Sequence, residues 1–297
     1  MVSVQLYSQS SAQENSGLQS RWAIFSSKSS AVLGLLILCI IFILSLSSLF
    51  IDSSNTNSLS TQLIPPSWHE QGTSEHLLGT DLLGRDIFSR LLEGAPLTFG
   101  ISLLSVTFAL LVGVGLGLVA AFYRKHVQLA VMRSMDIIFA IPSLVLAIIV
   151  VSILGPGLVN AGLAVAIVLL PNFVRTTISH VIEEMNKAYV DAAKLDGATP
   201  SRILLKSVFP NVAAPLTLQT TIALSTAIVD IAALGFLGLG AQAPQPEWGA
   251  MLAEARTSMH IAPWVVTLPG LAILITVLSI NFFGDGLNRI INNKMRH

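Results

Sequence analysis

Six histidines, sixteen carboxylates and one cysteine are the groups from which acid–base, metal or nucleophilic chemistry could be built in this chain of 297 residues. Their spacing builds none of it. His69 and His76 share one stretch while the other histidines are scattered, so no ligand set converges. There is no H-E-x-x-H and no G-x-S-x-G, and none of the 21 glycines is followed by Lys, so the phosphate-cradling G-x-x-x-x-G-K-[S/T] loop is missing. Those absences disfavour an intramembrane enzyme and remove one means by which the chain could power itself with a nucleotide. Cys39 lies in an apolar run, where a thiol behaves as a small hydrophobe. What remains is chemistry of pairing and docking. Asp81 with Arg85 and Asp86 with Arg90 are acid-then-base pairs four apart, Asp191-Ala192-Ala193 precedes Gly197, Asp136 precedes Pro142, and Asp230 stands alone in an apolar stretch.

The elements that must carry these groups follow from composition. The chain is 53% apolar and only 11% charged, far from a water-facing balance, and sixteen basic residues cancel sixteen acidic ones, leaving no global field for nucleic acid. A bilayer core of about 30 Å needs about twenty helical residues. Residues 31–51 and 97–122 are charge-free stretches of 21 and 26 residues, each the length of one span. The 38 charge-free residues of 137–174 suit two spans, near 134–154 and 158–174, divided by Gly155-Pro156-Gly157. Residues 212–234 and 263–284 complete six. A cleavable leader is the rival reading of the first span, but its length favours an anchor. With both termini inside, thirteen basic residues lie on the inner side against three outside, the asymmetry expected of a membrane protein with N- and C-termini in the cytoplasm.

The expected organisation is a Ser- and Gln-rich cytoplasmic tail (1–30), a first transmembrane helix (31–51), an outer, periplasmic segment (52–96), a five-helix core (97–284) containing an inner loop (175–211), and a cytoplasmic tail (285–297). In the inner loop, Ile178, Ile182, Met185, Tyr189 and Ala193 recur at helical steps, predicting one helix to about Leu195 that Gly197 can close. Thr199 and Pro200 then open a second helix, which ends near Phe209-Pro210. Periodicity alone leaves open whether this pair lies on the bilayer or docks elsewhere. In the outer segment Thr80 caps a predicted interfacial helix, with Leu83, Ile87 and Leu91 on one face. Pro142 favours a kink in the third span, which can act as a gate or be static. Gly113, Gly115 and Gly117 point to close helix packing. Asp230, about eighteen residues into the fifth span, either bonds to neighbouring helices or lines a wet cavity that meets a cationic group.

Three motifs carry a resemblance. Asp191-Ala192-Ala193, Gly197 and Pro210 resemble the E-A-A-x-x-x-G…L-P loop of permease subunits of ATP-binding cassette importers, with Asp191 for the usual Glu, Ser207 for Ile and Phe209 for Leu. Leu78-Gly79-Thr80-Asp81-Leu82-Leu83-Gly84-Arg85-Asp86 with Ser89-Arg90 resembles the C-type subunit of dipeptide, oligopeptide and Sap-type peptide transporters. So does the stretch from Asp230 through Gly235-Phe236-Leu237-Gly238 to Pro244-Gln245-Pro246-Glu247-Trp248-Gly249. Ile64-Pro65-Pro66-Ser67-Trp68 is more similar to the Sap branch.

The resemblance implies an all-α, polytopic, six-span protein with the type I importer permease fold, non-catalytic and resident in the inner membrane. It implies peptide transport: di- or oligopeptides, or cationic antimicrobial peptides and hence resistance to them. Polyamines such as putrescine are an alternative cargo, and a carrier driven by an ion gradient is the alternative class. The implied partners are a B-type permease subunit, two ATPase subunits holding ATP-Mg, a periplasmic peptide-binding protein and the lipid bilayer. The chain itself would bind no cofactor, metal or nucleic acid. Asp191, Ala192, Ala193 and Gly197 would be the ATPase-coupling contacts, and Asp230, Glu247 and Trp248 part of the substrate path.

Overall fold

A computed structural model describes residues 22–47, 61–123 and 125–294. The predicted cytoplasmic tail up to residue 21, the outer end of the first span (48–51), the start of the outer segment (52–60), Arg124 and residues 295–297 lie outside the described residues.

The described residues are helical, joined by turns, with no strand beyond an isolated bridge between Thr80 and Asp86. In chain order the helices are α1 (Ser29–Ser47), α2 (Ile87–Tyr123), α3 (Lys125–Phe139), α4 (Ser143–Leu154), α5 (Leu158–Met185), α6 (Ala188–Leu195), α7 (Pro200–Phe236), α8 (Trp248–Ala255) and α9 (Trp264–Lys294). Helices α1, α2, α5, α7 and α9 are long and apolar enough to cross a membrane. The sixth crossing exists only if α3 and α4 are counted together, and they meet at 91°. A straight third span over 134–154 is therefore not what the chain forms. Pro142 has no N–H and pushes Ile141 away from helical angles, and α4 alone is about 18 Å long, short of a bilayer core. Helix α3 presses Val131, Met132, Met135 and Ile138 against Ala120 of α2 and Val174 and Ile178 of α5.

The hairpin at 155–157 forms as the Gly-Pro-Gly predicts, with both glycines at positive φ. The core lies between α2, α4, α5 and α7, around Val106, Val151, Val165, Phe173 and Ile231, all essentially inaccessible. Gly113 and Gly117, one turn apart on α2, let α5 approach: a Cβ there would lie 2.6 Å from Phe173 Cβ and 2.5 Å from Thr177 Cβ. Gly115 faces open space and takes no part. Helix α1 packs along α9, where Lys28 and Asp285 form an exposed ion pair at 2.7 Å.

Three local expectations are replaced. Thr80 caps no helix; its hydroxyl accepts from Ile64 N at 2.8 Å and ties down the chain ahead of α2. Asp86 is the cap, accepting from Ser89 N (2.8 Å) and Ser89 Oγ (3.0 Å), so α2 begins at Ile87, ten residues before the charge-free stretch. Leu83 is consequently exposed while Ile87 is buried. The predicted helix to Leu195 is broken at Asn186-Lys187: α5 runs on to Met185, and α6 is a separate two-turn piece. Nor does a helix end at Phe209-Pro210. The chain continues from Pro200 to Phe236, widening to π geometry over Ile203–Val208 ahead of Pro210, which offers no N–H to the ladder.

Candidate functional site

Helix α6 lies between α5 and α7, on the side expected to be the inner one. Its C-terminus closes on Gly197, whose φ of +76° brings Ala198 N to Ala193 O (3.0 Å) and Gly197 N to Lys194 O (3.1 Å), the paired bonds of a left-handed helix stop. No atom lies within 4 Å of a Cβ built there, so glycine is required by the backbone angle and not by crowding. Thr199 and Pro200 then start α7 as predicted, although the Thr199 side chain makes no cap bond. Val190 is fully buried and Ala193 packs against the core, whereas Asp191, Ala192 and Gly197 are exposed. Asp191 pairs with Lys194 at 2.8 Å. One residue of this face escaped the sequence reading. Leu195 is 89% exposed at the tip of α6, and the available signal was a large apolar side chain beside the helix-stopping glycine.

A second cluster braces the bent pair. Arg175 of α5 reaches Asp136 of α3 at 2.7 Å and stacks over the Phe139 ring at 4.3 Å, next to the break at 140–142.

At the other end of the helices, Glu247, Trp248 and the end of α7 form one packed unit. Glu247 is fully buried; Oε2 accepts from Ala250 N and Oε1 from the Thr98 hydroxyl, both at 2.9 Å, so it caps α8 and holds it to α2. Trp248 donates from Nε1 to Leu91 O at 3.0 Å. Burial pushes the Glu247 carboxyl above its ordinary value, opposed by the Gly249 and Ala250 N–H groups and the Thr98 hydroxyl. Glu247→Ala is expected to lower stability by about 2–4 kcal/mol, through loss of a cap and orphaning of buried Thr98 and Ala250 donors. A fall in the thermal midpoint of the purified protein reads this out, and an unchanged midpoint refutes it. Asp230, on α7, is buried without a hydrogen bond or ion pair to any described residue. The structure thus separates it from Glu247, whose two oxygens are both engaged.

The outer charges also rearrange. Asp81 does pair with Arg85 (2.7 Å), but inside a turn in which Asp81 Oδ1 accepts from Leu83 N and Arg85 N. Arg90 pairs with Asp81 (2.7 Å) and Glu254 of α8 (2.8 Å), not with Asp86, which faces His76 at 3.1 Å. Among the described residues no group of three or more His, Cys, Asp or Glu side chains could hold a metal ion.

The profile of the family described as "Binding-protein-dependent transport system inner membrane component" matches residues 113–297, more than half of the chain. The chain belongs to this family. It is a multi-pass transport permease subunit, and such subunits are non-catalytic as a family. Among curated members, it is 46% identical to the di/tripeptide transport system permease protein DppC of Pseudomonas aeruginosa over 95% of this chain and 94% of that one. It is 44% identical to the dipeptide transport system permease protein DppC of Escherichia coli K12 over 94% of each. With the peptide transport system permease protein SapC of E. coli O6:H1 identity is 50%, over 78% of this chain and 79% of that one. Among solved structures, the inward-facing MetNI methionine ABC transporter has a chain superposing with a TM-score of 0.57 at 21% identity, covering 69% of this permease and 97% of that chain. That likeness supports the permease fold alone.

Proposed function

We propose that this chain is one of two permease subunits of an ATP-driven peptide importer, with both termini in the cytoplasm, and that α6 is the helix through which the ATPases act on it. The observation that carries the reading is the exposed α6, held between two membrane-length helices and closed by Gly197. The E-A-A-like motif falls on that helix, and Asp191, Ala192, Ala193 and Gly197, joined by Leu195, are the docking residues. A helix carrying small residues enters a groove closely, and an exposed leucine at its tip gives the groove something apolar to bury.

The partners follow from the family and the relatives: a B-type permease subunit completing the path, two ATPase subunits carrying ATP-Mg, and a periplasmic binding protein delivering peptide. Closure of the ATPases would displace α6 and switch the bundle between inward- and outward-open arrangements by rigid-body motion. Asp230, unpaired in α7, faces the path and meets a peptide's ammonium group; Glu247 and Trp248 hold the outer wall. Peptides are the cargo favoured by the curated relatives.

The test is substitution at α6 in the assembled transporter. Ala193→Arg, or Gly197→Val at a backbone angle where an L-residue costs about 1–2 kcal/mol, is expected to cut uptake per ATP hydrolysed by about tenfold. Unchanged uptake in vesicles containing equal amounts of complex would count against the docking role.

A further inference from the structure

Helix α6 has only eight residues, too few to hold an orientation of its own, and it hangs between two non-helical links, residues 186–187 and 196–199. A push on such a piece is absorbed by bending at the links unless something braces them. The second link has no brace at Gly197, where a Cβ would meet nothing within 4 Å. The first is crossed by a chain of hydrogen bonds. Glu184, in the last turn of α5, is 9% exposed and accepts from the Lys187 ammonium and, at 2.7 Å, from the Tyr189 hydroxyl. The single proton of Tyr189 is thereby spent, leaving its oxygen as an acceptor, and Asn211 Nδ2 of α7 donates to it at 3.3 Å. The other Asn211 proton goes to Ser207 O at 3.2 Å, inside the π segment. Every donor thus has an acceptor, in one direction, from α7 through α6 to a buried carboxylate on α5. Tyr189 falls in the apolar stripe of the sequence, but its hydroxyl is the junction.

We propose that Glu184, Tyr189 and Asn211 form a polar knot that makes the inner ends of α5 and α7 move with α6 as one body, so that displacement of α6 reaches two spans at once. These are positioning residues for transmission. The proposal rests on α6 being the ATPase-docking helix, and it deepens that reading by naming where the force enters the bundle. Lys187 belongs to the knot's edge, its ammonium held above the ordinary value chiefly by the bond to Glu184.

The whole transporter, reconstituted with its ATPases and binding protein, supplies the test. Tyr189→Phe keeps the ring and removes the hydroxyl, leaving Glu184 with Lys187 and a 3.5 Å approach of Asn211. Uptake per ATP hydrolysed is expected to fall about tenfold, the scale of one lost bond to a buried charge. Tyr189→Phe with normal coupling, alongside an uncoupled Ala193→Arg, overturns the knot and leaves the docking helix standing. If Ala193→Arg also couples normally, the docking reading fails and the knot with it. Should Tyr189→Phe not assemble, spin labels at exposed Ser179 and Lys194, on either side of the braced link, decide the matter with the knot intact. One distance throughout the ATP cycle is expected, and a change approaching a helical turn, about 5 Å, overturns the proposal.

Discussion

Replacing Gly94 by Ala is expected to prevent normal folding around the start of α2 and α8, although it adds one methyl group. A Cβ at Gly94 would stand 2.1 Å from the Pro246 carbonyl oxygen and 2.9 Å from Trp248 Cδ1. The oxygen is backbone and cannot swing aside. Moving it would drag the loop that ends in Glu247, whose carboxylate is tied to Thr98 and Ala250, and Trp248, whose ring is tied to Leu91. The cost is that of overpacking compounded by a backbone shift, about 3 kcal/mol or more. Gly100, on the same helix, is the control: nothing lies within 4 Å of its Cβ, and the same change there should be neutral or stabilising by up to about 1 kcal/mol. Folded yield and thermal midpoint of the two purified variants make the comparison. Equal behaviour would show that α2 and the 237–247 loop do not meet as described.

Arg90→Ala should be nearly as damaging. Arg90 is 4% exposed and its Nη1 lies 2.7 Å from Asp81 and 2.8 Å from Glu254, joining the chain ahead of α2 to α8. Removing it leaves two carboxylates sharing Arg85 alone, which contacts them at 2.7 and 2.5 Å. Deleting one member of this cluster costs about 3 kcal/mol, the low end for a buried pair, because Asp81 stays desolvated while Glu254 is partly exposed and Arg85 still meets both acids. Lysine should rescue in part, since both acids are met by the single nitrogen Nη1 and an ammonium placed there can bridge them. By contrast, Lys28→Ala removes a solvent-exposed pair with Asp285, and at most about 1 kcal/mol is expected. Thermal denaturation of the three variants ranks them. A midpoint for Arg90→Ala within a degree or two of Lys28→Ala would refute the buried cluster.

Both predictions concern contacts that no local pattern announces. Glu254 lies 164 residues from Arg90, and Pro246 is almost as remote from Gly94, so these pairs exist only because α8 and the loop before it fold back onto α2. The local pairing rule supplied the wrong partner, Asp86 in place of Asp81, because it assumed a helix across 81–90. In the chain the helix starts at Ile87, capped by Asp86 itself. The same limit explains the third span. Pro142 marked a kink, but its angle is set by which neighbours α3 can pack against, and α3 lies on the inner ends of α2 and α5 with Asp136 paired to Arg175. At the inner face the periodicity of Ile178 to Ala193 ran through Asn186 without a break, since a two-residue interruption leaves a helical spacing almost in register.

By itself the amino-acid sequence determined the features that depend on short range and on solvent: membrane-length apolar helices, the Gly-Pro-Gly hairpin, the start of α7 at Thr199-Pro200 and the stop of α6 at Gly197. Each follows from desolvation cost per residue or from the angles one or two residues permit. Tertiary structure alone decided the right-angled bend, the partners of Arg90, the burial of Glu247 and the bonding of Tyr189 to both Glu184 and Asn211. Those depend on which side chains meet when distant helices pack, and a polar group buried by packing takes whatever partner that packing brings within hydrogen-bonding reach.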